Sequence, residues 1–395
     1  MGRKNSEKKR FMSNRQRQIF RFDKAKVEWT AFEMEKGTAE YHLMVHVTDS
    51  RQTFEEQLKA LHDACDEVLK HHGHKAVPVF KRYFLSDVCN QAEALGRWMP
   101  EEAACAVSVI QQPPLNGTKV ALWAYLMEGG AAKKLSENLY EVSHGAYRDL
   151  WTAGSLSCES GSESQTRRLL SDYVRVLERQ GITLADHCLR TWFFVQDIDR
   201  NYAGVVKARN EVFLTQNLMP ETHFIASTGI GGGNPQAESL VQLDALAVDG
   251  LQPGQVHYLY AKSHLNPTYE YGVSFERGTY VDYGDRRKVY ISGTASINNK
   301  GKIVHPGDVR RQTARMMENV EALLGEAECS FDHVDQMIVY LRDPADYEVV
   351  KEIYESRFPL VPTVFVNAFV CRPGWLIEME CIATKEMENA LYPVF

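Results

Sequence analysis

Three stretches of the chain share one arrangement of apolar positions. After Gln57 come Leu58, Leu61, Cys65, Val68 and Leu69, at offsets of +1, +4, +8, +11 and +12. Thr166, Leu169, Tyr173, Val176 and Leu177 repeat those offsets after Gln165, and Thr313, Met316, Val320, Leu323 and Leu324 repeat them after Gln312. Steps of three and four residues return to one side of a helix with about 3.6 residues per turn. The pattern therefore predicts three helices with buried faces of the same shape. Each is followed by a β-rich run ending in Asp, at Tyr83–Asp87, Trp192–Asp197 and Ile338–Asp343; the Gln-to-Asp spacing is 30, 32 and 31 residues. Each run is followed by a closing strand, at Val120–Leu126, Leu240–Val248 and Leu376–Thr384. Ahead of the second and third helices, Leu150–Ser155 and Val289–Thr294 read as strands running into small-residue turns.

The repeat divides the chain into three α+β units, at 21–130, 140–255 and 265–390, behind a basic tail at 1–20. Gly129-Gly130 and the stretch from Gly250 to Gly254 serve as linkers. Length alone, 395 residues, predicts two to three domains at about 150 residues each; the repeat selects three. With 44% apolar and 25% charged residues the chain has the balance of a globular protein. No apolar run approaches the ~18 residues of a membrane helix, so no membrane partner is expected. Eight Cys without a CxxC pair, and no apolar leader, point to a cytoplasmic protein with reduced thiols, without a structural metal or cofactor. The formal charge of −7 disfavours nucleic acid as a partner. The exception is the tail, where Arg3, Lys4, Lys8, Lys9, Arg10, Arg15, Arg17 and Arg21 form either a solvated, frayed segment or a tether for an acidic surface.

In the third unit, Ile291-Ser292-Gly293-Thr294, the Gln312 helix, Tyr340-Leu341-Arg342-Asp343 and Ile377–Ala383 resemble the RidA (YjgF/L-PSP) family. That family consists of small α+β, chorismate mutase-like subunits which assemble as trimers with active clefts between subunits. Three tandem units then imply an intramolecular pseudo-trimer, with the first unit degenerate. The imine-hydrolysing branch carries an Arg ten residues before the second acid of its last strand. Here that position is Val370, its counterpart in unit one is Pro113, and no Arg lies near the Gly-rich stretch 228–234 of unit two. A second resemblance is to the chorismatase branch. It rests on Ile291–Ile297, His305, Gly307-Asp308, Gln312-Thr313, Cys371-Arg372-Pro373 and Leu376-Ile377-Glu378, and more loosely on Tyr271-Gly272, Phe275 and Arg277. Chorismatases remove pyruvate from chorismate without a metal. The resemblance covers 265–385 and, more weakly, unit two; unit one lies outside it as added length.

The residues suit that chemistry. Cleaving an enol ether can begin with protonation of its methylene carbon, which needs a general acid with a raised pKa in a water-poor cleft. Glu378 is the candidate, because the equivalent positions of units one and two hold Ala121 and Gln242. Glu380 lies on the same strand face; the competing reading of the pair is an exposed strand with alternating charges. Cys371 would relay a proton or steer the product towards 3-hydroxybenzoate rather than a dihydroxycyclohexadiene carboxylate, or be a small buried hydrophobe. Arg277 and Arg372 would hold the carboxylates of a small-molecule substrate, with Tyr271 adding a hydroxyl and the Gly293-Thr294 turn backbone N–H groups. The site is expected between units two and three of a monomeric pseudo-trimer or homodimer. A non-catalytic RidA-like metabolite-binding protein, an imine deaminase and an RNA-associated protein are the alternatives. Of the remaining motifs, His71, His72 and His74 around Gly73 read as a helix C-terminus. The stretch Gly229–Asn234 reads as a loop permitting close approach of a ligand or neighbouring unit, and Gln111–Pro114 as a turn or rigid spacer.

Overall fold

The computed structural model describes residues 13–35, 37–72, 75–99 and 105–395. Most of the basic stretch, from Arg3 to Arg10, lies outside them, as do Gly73 and His74. Unit one contains β1 (Ser13–Arg21), β2 (Ala25–Met34), β3 (Ala39–Val47), α1 (Phe54–His72), β4 (Val77–Leu85), α2 (Val88–Gly96), β5 (Ala106–Gln111) and β6 (Val120–Glu128). Unit two contains β7 (Ala131–Lys134), β8 (Leu139–His144), β9 (Tyr147–Leu156), α3 (Gly161–Arg179), α4 (Leu184–His187), β10 (Cys188–Val195), α5 (Ile198–Thr215), β11 (Ala226–Gly231) and β12 (Val241–Asp249). Unit three contains β13 (Val256–Leu259), β14 (Gly278–Asp282), β15 (Arg286–Ala295), α6 (Val309–Glu326), β16 (Val334–Leu341), α7 (Tyr347–Arg357), β17 (Thr363–Asn367) and β18 (Ile377–Glu386).

These strands form three six-stranded sheets with one topology, β1-β2-β3-β6-β4-β5, β7-β8-β9-β12-β10-β11 and β13-β14-β15-β18-β16-β17. In each, a three-strand meander leads through a long helix to a strand that pairs in parallel with the sheet's last neighbour, and the return strand inserts between the two halves. The parallel pair requires a crossover, supplied by α2, α5 and α7. The chain is thus an α+β pseudo-trimer of three tandem units. Isolated bridges join units one and two (Gln111 with Gly233), one and three (Pro114 with Val366), and two and three (Ile230 with Val370). No helix among the described residues is long and apolar enough to cross a membrane.

The repeated Gln has a structural job in every copy. The Gln57 side-chain oxygen accepts from Lys119 N–H at 2.7 Å, that of Gln165 from Leu240 N–H at 2.7 Å, and that of Gln312 from Leu376 N–H at 2.9 Å. The amide groups donate to loop carbonyls: Gln52, Glu159 and Gly374 among them. A buried amide therefore ties the first turn of each long helix to the start of the return strand, where backbone groups would otherwise go unpaired.

Two expectations change here. The stretch read as a tail to residue 20 is, from Ser13 onwards, the outer strand of the first sheet. Its alternate cations hold unit three: Arg15 pairs with Asp335 and the Thr384 carbonyl, and Arg17 donates to the carbonyls of Asp332 at 2.7 Å and Val334 at 2.6 Å. The Gly-rich stretch read as a loop belongs to strand β11 as far as Gly231, though close approach is its reason. A Cβ on Gly231 would lie 2.8 Å from the Phe369 nitrogen of unit three, and one on Gly232 would lie 3.0 Å from Ile110 of unit one.

Along the pseudo-threefold axis the units meet through buried charges and aromatic rings. Arg82 of unit one pairs with Asp244 of unit two at 2.9 Å, and Arg190 of unit two with Glu380 of unit three at 2.9 Å. Arg286 of unit three pairs with Glu40 of unit one at 2.7 Å, and Lys288 reinforces that pair. The Arg82 guanidinium also lies over the rings of Trp192 (4.9 Å) and Phe194 (4.8 Å), so a second unit solvates it.

Replacing Gln165 by Leu keeps the volume but strands the N–H groups of Leu240 and Val241. We expect a loss of about 2–4 kcal/mol in urea unfolding; an unchanged midpoint would mean that the amide does not tie helix to strand.

Candidate active site

Between units two and three lies a cleft of about 520 Å³. Helix α5 forms one wall, through Tyr202 to Asn210, and the ends of β14, β15 and β18 form the other. Of the residues singled out in the sequence, Glu378, Cys371, Arg277, Arg372, Tyr271 and Gly293 all line it. Thr294 does not. The backbone bulges between Ile291 and Thr294, and the Thr294 hydroxyl donates to the Ser292 carbonyl at 2.9 Å. The supposed turn is this bulge, with the strand continuing to Ala295, and the Gly293 N–H is already committed to Thr228 Oγ1 at 2.9 Å. The Gly293 N–H is therefore not a free ligand donor. His305 also falls outside the lining; it serves as a loop residue whose carbonyl accepts from Gln312.

Strand register explains why only one copy bears a carboxylate here. Glu378 stands opposite Tyr340, Gln242 opposite Phe194 and Ala121 opposite Phe84. The same register makes Glu380, Asp244 and Trp123 equivalent. Neither glutamate is exposed: Glu378 is 5% and Glu380 2% accessible, so the alternating-charge surface reading fails. Their surroundings differ. Glu380 accepts from Arg190 at 2.9 Å, from Trp192 Nε1 at 2.7 Å and from the Thr228 hydroxyl. These donors satisfy a buried carboxylate in its ionised form.

Glu378 has no such set and looks into the cleft. Burial, reinforced by the negative Glu380 beside it, pushes its carboxyl up to about 8, against the weaker pull of Arg190 and Arg277. It therefore carries a proton at neutral pH. Gly293 makes room for it, since a Cβ there would lie 2.1 Å from Glu378 Oε1 and 2.9 Å from its Cδ. Gly229 does the same for Tyr202, with a Cβ-to-ring distance of 2.8 Å.

Two cations face the cleft in different ways. Arg277 is buried and braced, donating through Nη2 to the Asn266 carbonyl at 3.0 Å, with its guanidinium 5.4 Å from the Phe275 ring. Arg372 stacks on Tyr271 at 4.7 Å and on Trp375 at 5.0 Å and makes no ion pair with any described residue. A guanidinium held flat between rings and lacking a carboxylate is ready for an anion. The Cys371 thiol is pushed up to about 12 by burial and then by the charge of Glu378, so it stays protonated. Sequence reasoning missed Tyr202 and Lys207, which sit on a helix whose apolar spacing is irregular, and Trp375, three residues beyond Arg372. Among the described residues, no group of three or more His, Cys, Asp or Glu is placed to hold a metal.

Residues 275–385 match the family described as endoribonuclease L-PSP. A RutC family protein of Pyrococcus abyssi is 35% identical over 100 residues, covering 25% of this chain and 79% of its own. The 3-aminoacrylate deaminase RutC of Acinetobacter baylyi is 32% identical over 97 residues, covering 24% and 77%. The chain belongs to the RidA (YjgF/L-PSP) superfamily. A solved chorismatase shares its fold over 88% of this chain and 99% of the other, at a TM-score of 0.65 and 16% identity. That extent exceeds what units two and three span together, so unit one is part of the shared architecture and not added length.

The raised carboxyl has a stability signature. Folding lifts Glu378 from 4.5 to about 8, so the folded state holds a proton that the unfolded chain releases. Its contribution is full below the unfolded value and is lost as pH rises through the folded one. Glu378→Gln removes this titration. In urea unfolding followed from about pH 5 to 9, wild type should lose stability relative to the variant and be the weaker of the two at the alkaline end. Parallel profiles would show that Glu378 is not held protonated.

Proposed function

We propose that the protein is a chorismatase-like enzyme that releases pyruvate from chorismate, with Glu378 as general acid. The observation that carries this reading is a protonated carboxyl facing a cleft that also presents Arg277 and Arg372. Chorismate brings two carboxylates and an enol ether. The two guanidinium groups would bind the carboxylates and so place the enolpyruvyl group against Glu378. The carboxyl then gives its proton to the methylene carbon. The ionised form left behind is the complement of the oxocarbenium-like centre that results. Glu380, fixed by Arg190 and Trp192, stands beside that carboxyl and opposes a charge on it until that moment.

Two outcomes follow from the same intermediate. Addition of one water and collapse release pyruvate and leave a dihydroxycyclohexadiene carboxylate. Elimination with no net water leaves a hydroxybenzoate. Cys371, neutral at working pH, would serve as a thiol proton donor and relay, not as a thiolate, and its place beside Glu378 favours the route to 3-hydroxybenzoate. No step in this scheme calls on a metal or an organic cofactor.

Chorismate should yield pyruvate in a coupled assay, at a rate that falls as pH rises past about 8. Glu378→Gln should cost roughly 100-fold or more in kcat, while Arg372→Met should act mainly on KM. Cys371→Ala should move the aromatic product towards the dihydroxy compound on chromatography. No pyruvate from wild type, or undiminished release by Glu378→Gln, would overturn the assignment and leave a protein that binds without turnover.

A further inference from the structure

The same pseudo-symmetry builds a second inter-unit cleft, between units three and one, with a volume of about 580 Å³. Helix α7 and strand β17 stand where α5 and β11 stand in the candidate active site, and β2 and β3 replace β14 and β15. Register identifies what has been exchanged. The position of Glu378 is Ala121, and Ala295, opposite Glu378, becomes His46. Arg277, next to the Gly278–Ile291 pair, corresponds to Glu28, next to the Trp29–Leu43 pair. This cleft therefore has neither the acid nor the braced guanidinium, yet it has not closed.

Its charges still favour an anion. Glu28 is neutralised internally: Lys26 donates to Oε1 at 2.6 Å and Thr363 N–H to Oε2 at 2.8 Å. Burial alone would raise its pKa, but His46 and Lys26 hold it down at about 2, so it stays ionised and paired. Lys351 sits 5.5 Å from the Tyr347 ring and pairs with exposed Glu348 at 3.5 Å. Arg21 pairs with no described residue, so it is the lining cation without a carboxylate partner, with Glu355 elsewhere in the lining. Deeper in, His46 is 7% exposed and its Nε2 lies 3.5 Å from Glu28 Oε2, so that ring already faces a carboxylate. The opposite wall is apolar and aromatic, formed by Tyr347, Phe358 and Phe365.

We propose that this cleft is a second, non-catalytic binding site for a small aromatic monocarboxylate. The ring packs on Phe358 and Phe365, and the carboxylate meets Lys351 and Arg21. One unpaired cation suits a monoanion better than a dianion, and this sets the cleft apart from the one holding two cations.

The probe is 4-fluorobenzoate, followed by fluorine NMR on the full chain. The background is Arg372→Met, which weakens the candidate active site. Saturable binding should persist in that background. Adding Lys351→Glu with Arg21→Glu should weaken it at least tenfold without changing the melting temperature of the ligand-free protein. Arg21 is exposed and Lys351 partly so, and Lys351→Met should give a smaller loss of the same sign. Absence of binding in the Arg372→Met background, or affinity indifferent to the charge at Lys351 and Arg21, would overturn the proposal. Pyruvate release from chorismate is read separately and is not at issue in either outcome.

Discussion

The ion pair between Arg190 and Glu380 is the interaction around which the candidate site is built. It joins a strand of unit two to a strand of unit three in the buried middle of the molecule, with Trp192 and Thr228 completing the carboxylate's hydrogen bonds. Glu378 has no such donors; burial first, and then the Glu380 carboxylate beside it, oppose a charge on it. Two carboxylates on one strand face are thus driven to opposite protonation states by what surrounds them. The same Thr228 that accepts from the Gly293 N–H donates to Glu380, so the gap that admits the Glu378 carboxyl and the bond that fixes its partner share one side chain.

Each seam of the pseudo-trimer carries its own version of this device. Arg82 with Asp244 and Arg190 with Glu380 have their acids at one position of the repeat but their cations at different ones, and Arg286 with Glu40 uses other strands, so the three are chemically alike but not interchangeable. A buried pair gains little net stability after desolvation, while breaking one partner is severe. Its value here lies in matching: a unit docked in the wrong order would bury unpaired charge. Aromatic rings from neighbouring units crowd around Arg82, and hydrophobic packing supplies the adhesion that the ion pairs then make selective.

The repeat was legible because it is made of local periodicity: a helix stripe, a buried Gln and an Asp where a strand ends. All three long helices lie where the stripe put them, and the Gln turned out to be a tie that any such unit needs. The second helix of each unit was not legible. Helix α5 buries Arg209 among its apolar residues, which breaks the stripe, and with it went Tyr202 and Lys207 on the cleft wall. Strand β1 was hidden by its composition, because Arg15 and Arg17 look solvated until unit three appears opposite them. The Gly293–Thr294 bulge is a register effect between strands whose paired residues lie 83 or more positions apart, beyond any local pattern. The carboxylate position, by contrast, needed only the three copies laid side by side.

Joining the units in one chain has a consequence for the cleft that no single contact conveys. When three separate subunits build such a site, its population falls with dilution, because assembly is a matter of mass action. Here Tyr202 and Glu378 reach the same cavity from units two and three of a continuous backbone. Their effective concentration is set by the connecting chain and not by how much protein is present. The cleft is therefore as complete in a single isolated molecule as in a crowded solution.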